Sequence, residues 1–488
     1  MRSRGVEMPP FFLNILLVLT LATVGSYGTT VADILAFQKK LNSSSSESSQ
    51  TQETAKLAEL LSEVDPADIF KETNPNKIDI MLTELFKLKQ AIRTTTKTMD
   101  PNLVKYKKLS LTRIRYLEDY VAERRLQIQR GPDMSLNVNS ILDGDILLLR
   151  GGSSVSPAVA RIGETPSVYS HIGIVHVDQA SGKKYIVESL PRIGVVANPI
   201  ESLLSNKTPR VSVYRSDNFK EAKLAAEMAF QMANYTGKNT NPFDFDFTMN
   251  LDFSMPTSKN LVDGKTKYSF DISDIKSCRF FCSKLISYVF FEVGNSEKMP
   301  QFKSRFRSSI DELKIAVGVN PDLTETFLPG DFEFETGFTL ISEYRNTSKT
   351  LDSRIDDIII DEIYNKISFQ KKSLKATRFQ RLVAATILSV TARDSTNKLL
   401  RAIGIPMSTS ISAKLITTLY NLDRILSIVK KELFLRQGIG GKPLGTRSFS
   451  EIRALVKNEL ETNAKIGKFF IDAPARTRGM CLNFYVGQ

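Results

Sequence analysis

The chain has 488 residues, of which 42% are hydrophobic and 24% charged, values that exclude a disordered or fibrous protein and suit several packed units. Lys and Arg outnumber Asp and Glu by 66 to 53, a net charge of +13 that favours anionic neighbours. Three cysteines, Cys278, Cys282 and Cys481, are too few for a disulfide framework, and the odd number leaves a thiol over. In chain order, Arg2 and Arg4 precede the apolar run FFLNILLVLTLATVG (11–25) and small residues follow. This pattern predicts a secretory signal peptide over 1–28, with cleavage after Gly28 or Ala32. The run is short for a membrane span, though an uncleaved anchor stays open. Export would set nucleic acid aside as a partner and leave an anionic cell-wall polymer or a lipid, with contact to a membrane surface also open.

Residues 29–54 contain NSSSSESSQTQET and read as a polar linker. A helical region is expected over 55–131. Ile78, Met81, Leu82, Leu85 and Ile92 share one face, and Ile114, Leu117, Val121 and Ile128 another. Gly131-Pro132 ends it. An α+β domain is expected over about 135–347. DGDILLLR, SHIGIVHV, KYIVES, IGVVA and RVSVYR are short, β-rich and separated by turn residues. A helix is expected over 218–235 and a polar, irregular functional loop over 236–275. A second helix should start near Cys282 and stop at Gly294, and the last strands should fall in FEFETGFTLISEYRN (332–346). A C-terminal helical domain is expected over 350–488. Within it Ser448 and Glu451 form a capping box for a helix running toward Phe470. GIGGKPLG (438–445) lacks the ending of a phosphate loop and reads as a turn between helices.

Both histidines, His171 and His176, lie in one short strand. Five residues apart, they point to opposite faces, so they make a poor metal pair; neither a metal site nor a cofactor is predicted. His171 opens the strand, whereas His176 lies near the hairpin turn and is expected at the surface. Cys282 lies in the first turn of its helix, where the dipole and the unpaired N–H groups favour a thiolate and can stabilise an oxyanion. It also shares an apolar face with Leu285, Ile286, Val289, Phe290 and Val293, as a plain core cysteine would. No histidine follows Cys282, so a Cys–His pair must run His before Cys. Glu188, on the next strand, is placed by the hairpin near His171 and can orient its ring.

The order of GDILLL, SHIGIV, YIVES and FCSKLISYVF, within residues 143–346, resembles the permuted papain-like cysteine amidases, the YiiX-like and YaeF-like branch of the NlpC superfamily, to which the lecithin:retinol acyltransferase group is related. The resemblance implies a circularly permuted papain-like fold: a small antiparallel sheet with packed helices, here flanked by N- and C-terminal helical regions. It further implies Cys282 as nucleophile, His171 as base and Glu188 as the orienting residue. The chain departs from the family's pattern at Phe281, Lys284 and Phe243, where tyrosine, glutamate and tyrosine are common. Three readings stay open: an exported thiol hydrolase of an amide bond, such as one in a cell-wall peptide; a lipid acyl hydrolase or acyltransferase using the same thiol, with Phe280, Phe281 and Phe243 lining an apolar channel; and a non-catalytic scaffold whose helical flanks do the work.

Overall fold

The chain folds around the strand Ile146–Arg150 (β1), five residues that are all buried. A strand covered on both faces must be apolar throughout, and Ile146, Leu147, Leu148 and Leu149 satisfy that. In the computed structural model, residues 47–64, 66–94, 100–129, 137–153, 155–190, 194–204, 208–235, 257–262, 265–270, 280–293, 299–307, 324–369, 372–374, 413–437 and 443–472 are described. The segment read as a signal peptide, Cys278, Cys481, Phe243 and Gly294 lie outside them.

The N-terminal helices are Glu47–Glu63 (α1), Pro66–Lys71 (α2), Pro75–Thr94 (α3) and Pro101–Gln129 (α4). Helix α1 begins at Glu47, inside the stretch whose composition suggested a linker through residue 54. Its Leu57 and Leu61 are buried in a core shared with Ile78, Leu85 and Ile114, and this packing extends the helix back into polar sequence. After β1 come Val155–Ala160 (α5), His171–Val177 (β2), Lys184–Leu190 (β3), Gly194–Pro199 (β4), Arg210–Ser216 (β5) and Phe219–Tyr235 (α6). The hairpin Thr257–Val262 (β6) and Lys265–Phe270 (β7) stands where an irregular loop was expected. Cys282–Glu292 (α7) follows, then the two-residue pair Ser304–Arg305 (β8) and Glu325–Thr326 (β9). FEFE is not strand: Pro329–Phe334 is a 3-10 turn, and only Phe338–Arg345 (β10) is extended. Asp331 explains the turn, since its Oδ2 accepts from Leu328 N at 2.8 Å and from Ser304 N at 3.0 Å.

The C-terminal part comprises Thr347–Phe369 (α8), Lys372–Leu374 (β11), Ala413–Gln437 (α9), Phe449–Thr462 (α10), Ala464–Gly467 (α11) and Phe470–Asp472 (β12). The capping box forms as its spacing predicts, with Ser448 Oγ accepting from Glu451 N at 3.1 Å and Ser448 N donating to Glu451 Oε2 at 2.6 Å. Helix α10 stops at Thr462, short of Phe470, because Asn463 caps the next turn by accepting from Lys465 N at 3.0 Å. No described helix is long and apolar enough to cross a membrane.

Six strands form one antiparallel sheet in the order β10-β5-β1-β2-β3-β4. The protein is therefore α+β. On one face, Ile146, Leu148, Ile172, Ile174, Val187 and Tyr214 pack beneath α6 and α7. The other face, with Leu147, Leu149, Val175, Ile186, Val211 and Val213, is covered by Ile141, Ile200 and Leu203. Gly144 (φ +87°) lets the chain enter β1 beside α6: a Cβ there would lie 2.6 Å from the Ala222 carbonyl carbon.

Buried ion pairs tie the flanking helices to one another, to the turn before β10 and to the sheet. Lys89 meets Glu118 at 2.6 Å, Lys108 meets Asp331 at 2.6 Å and Arg115 meets Glu333 at 2.5 Å. Arg345 pairs with Glu118, and Arg210 with Asp119. On the C-terminal side, Arg150 and Arg161 share Asp357 at 2.5 and 2.9 Å. Burying such charges is costly unless each is paired, so these contacts select one arrangement of helices on the sheet. All of these pairs but Lys89 with Glu118 cross the sequence boundaries near 131–135 or 347–350, and so does the apolar packing: Phe334 joins the core of the N-terminal helices, and Ala158, Ile162 and Leu328 join that of the C-terminal helices.

Candidate active site

Strand alternation places the two histidines on opposite faces, as their spacing requires. His171 is the first residue of β2 and is paired across the ladder with Leu149. Glu188 lies on β3, joined to β2 by the turn in which Gly182 N donates to Asp178 O at 2.8 Å. This hairpin brings Glu188 Oε2 to 2.6 Å from His171 Nε2. Asn198 Nδ2 on β4 donates to the other carboxylate oxygen, Oε1, at 2.8 Å. Three adjacent strands thus supply a chain of side chains, Asn198 to Glu188 to His171. Asn198 lies one residue beyond the expected strand IGVVA, and its alternation with Val196 was its only signal.

Cys282 is the first residue of α7 and lies close enough to His171 to act electrostatically on its ring. The residue before it, Phe281, has extended backbone (φ −93°, ψ 168°) and carries no group that could cap the helix. First-turn N–H groups lack acceptors within their own helix, and Cys282 belongs to that turn. Ser189 anchors this helix start by donating from Oγ to Phe280 O at 2.7 Å. Glu188 and Ser189 are neighbours whose side chains leave β3 on opposite faces. One holds the imidazole, and the other holds the backbone leading to the thiol. Ser189 had no signal in the sequence beyond its place at the end of YIVES.

Burial would push the His171 imidazole down. The charge and hydrogen bond of Cys282, with those of Glu188, outweigh it and raise the ring to about 10. For Glu188, burial raises the carboxyl, but hydrogen bonds and charge from His171 and a hydrogen bond from Asn198 leave it below its usual range. The arrangement favours the imidazolium form of His171. Since Nε2 is engaged with Glu188, Nδ1 is the nitrogen left to exchange a proton with the thiol. The His171 side chain is 19% exposed, and Cys282 as a residue is 7% exposed.

Two expectations are corrected. His176 is not at the surface: it is 4% exposed, and its ring stacks on Phe230 at 4.1 Å between centroids. It faces the helix-covered side of the sheet with Ile172 and Ile174, so alternation was right but proximity to the turn did not bring exposure. Its Nδ1 lies 3.6 Å from Asp143 Oδ1 and 3.7 Å from Glu227 Oε2. Phe280 and Phe281 are 0% and 2% exposed and pack within the protein, Phe280 against Tyr288 at 5.2 Å, so they do not line an open channel. Lys284 is likewise buried. No group of three or more His, Cys, Asp or Glu side chains among the described residues is placed to hold a metal ion.

The chain matches no family model and no curated protein.

Proposed function

We propose that the protein is a thiol hydrolase of a permuted papain-like fold, cleaving an amide bond with Cys282 as nucleophile, His171 as acid and base, and Glu188 as its orienting partner. The observation that carries this reading is the 2.6 Å approach of Glu188 Oε2 to His171 Nε2, with the helix-start thiol of Cys282 near enough to act on the same ring. The order His, Glu, Cys along the chain and the antiparallel sheet support it further.

In this mechanism the Cys282 sulfur attacks the carbonyl carbon and the C=O pair moves to oxygen. Backbone N–H groups in the first turn of α7 stabilise that oxyanion. His171, protonated at Nδ1, gives its proton to the leaving nitrogen as the C–N bond breaks, leaving a thioester and an amine. Water then loses a proton to His171 and attacks the thioester, releasing a carboxylate and restoring the thiol–imidazole pair. Glu188 keeps the ring in the required tautomer, and Asn198 holds Glu188. The N-terminal signal pattern and the charge of +13 support export and an anionic cell-envelope substrate. The packed state of Phe280 and Phe281 favours amide over lipid chemistry. The test is incubation of wild type and Cys282→Ala with purified peptidoglycan and, separately, with phospholipid vesicles. Release of new peptide termini by wild type alone supports the reading, whereas Cys282-dependent fatty acid release without change in the peptides replaces it with lipid acyl hydrolysis.

A second reading, a non-catalytic scaffold, is favoured by one observation: Cys282 is only 7% exposed. Iodoacetamide labelling separates the two. Rapid alkylation of Cys282 near neutral pH, slowed in His171→Ala, belongs to an enzyme; labelling of Cys282 no faster than of Cys278 or Cys481 belongs to the scaffold.

A further inference from the structure

A cleft of about 620 Å³ opens between α4, the loop after α5, α8 and α10, and neither His171, Glu188 nor Cys282 lines it. Its volume lies within the range of roughly 300–1,000 Å³ typical of small-ligand sites. Five of its lining side chains are cationic, Lys105, Arg113, Arg161, Arg307 and Arg453, against two carboxylates, Glu164 and Asp361. Much of this charge is already paired. Asp361 takes Arg161 at 3.3 Å and Arg307 at 2.6 Å, and Glu362 takes Arg453 at 2.5 Å. Arg113 and Lys105 have no carboxylate partner among the described residues.

Arg113 is held for a purpose other than an internal ion pair. Its guanidinium carbon sits 3.7 Å from the centre of the Phe449 ring, which is itself stacked on Tyr116 at 5.4 Å and 21°. The flat face of the guanidinium is thus covered and its orientation set, leaving the N–H edge for an acceptor. Its Nη1 is buried without an acceptor among the described residues, as is Nε of Arg161, whose side chain is 1% exposed. Burial, with the neighbouring charges of Arg161 and Arg453, pushes the Arg113 guanidinium down to about 10, although Tyr116 and Asp361 oppose this. A bound anion would relieve that repulsion and satisfy both orphaned donors.

We propose that this cleft is a second, non-catalytic site that binds a phosphate group, with Arg113 as its principal ligand and Arg161 Nε and Lys105 as supports. Donors reaching the cleft from separate elements suit a tetrahedral anion, which takes hydrogen bonds from several directions, better than a planar carboxylate, which one guanidinium fork satisfies. The phosphate is carried either by a soluble phosphorylated solute or by a lipid head group.

The probe is inorganic phosphate, titrated calorimetrically into the full chain at constant ionic strength with chloride as the balancing anion. Wild type should bind saturably, and Arg113→Gln should bind about tenfold more weakly or worse. Lys105 is exposed, so Lys105→Gln leaves the fold intact and should weaken binding by a few-fold, which keeps the proposal testable if Arg113→Gln does not fold. The labelling rate of Cys282 should match wild type in both variants. Vesicles containing phosphatidic acid separate the sources: flotation lost in Arg113→Gln assigns a lipid head group, and solution binding without flotation assigns a soluble ligand. Absence of saturable phosphate binding together with absence of Arg113-dependent flotation overturns the proposal, as does binding unchanged in both variants.

Discussion

Ser189 Oγ donates to the carbonyl oxygen of Phe280 at 2.7 Å, fixing the backbone two residues before Cys282 to the strand that carries Glu188. The thiol and the group that orients its imidazole are therefore referenced to one piece of backbone. Ser189 is fully buried, so Ser189→Ala leaves the Phe280 carbonyl without this donor, at a cost of about 1–3 kcal/mol. The expected result is slower alkylation of Cys282 in a protein that still folds, read by mass spectrometry beside urea unfolding. Alkylation at the wild-type rate would show that the helix start is held by other contacts.

Glu188→Gln keeps the shape of the side chain but removes its charge and lets an amide donor face His171. On the proposed mechanism the hydrolytic rate should fall by about 10²–10⁴-fold, the range for loss of effective acid–base catalysis. Asn198→Ala removes only the 2.8 Å bond to Oε1 and should cost much less. A rate for Glu188→Gln within a few-fold of wild type would exclude the orienting role.

The raised pKa of His171 also makes stability depend on pH. The folded imidazole keeps its proton up to about 10, whereas its ordinary value is 6.5. Between these values the folded state binds more protons than the unfolded one, so the free energy of unfolding falls as pH rises. The contribution is whole below about 6.5 and lost above about 10. Glu188, whose pKa is lowered, contributes in the opposite sense: its stabilisation is present above the usual carboxylate range and lost as pH falls through its lowered value. Urea unfolding from neutral to alkaline pH should show the first slope in wild type and a flatter one in His171→Gln.

The buried pair of Arg115 and Glu333 supplies a test of how α4 is joined to the turn before β10. Arg115→Met leaves Glu333 buried without this partner and should destabilise the protein by about 3–5 kcal/mol. The double variant Arg115→Met with Glu333→Leu should recover a good part of that loss, because no orphaned charge remains at the pair. Equal destabilisation of the single and double variants in urea would mean that packing, not charge, sets the cost.

Local pattern determined a good deal of this molecule. Short β-rich runs bounded by turn residues marked β1 to β5, and strand alternation placed His171 and His176 on opposite faces; an apolar helical face marked α7 and put Cys282 in its first turn. The spacing of Ser448 and Glu451 was enough for the capping box, since both partners lie in one turn. Each of these features depends on residues within a few positions of one another. What only the tertiary structure decided depends on which distant segments meet. His176 is buried because α6 brings Phe230 across the sheet, and α1 reaches back to Glu47 because Leu57 and Leu61 find a core. Asn198 and Ser189 enter the site through pairings with Glu188 and with Phe280, 10 and 91 residues away. Lys89, Glu118 and Glu343 are of residue types rarely buried, yet all three side chains are almost wholly buried, because each finds an opposite charge on another element. A charge is costly to bury alone and tolerable when paired, and pairing across more than two hundred residues leaves no periodic trace in the chain.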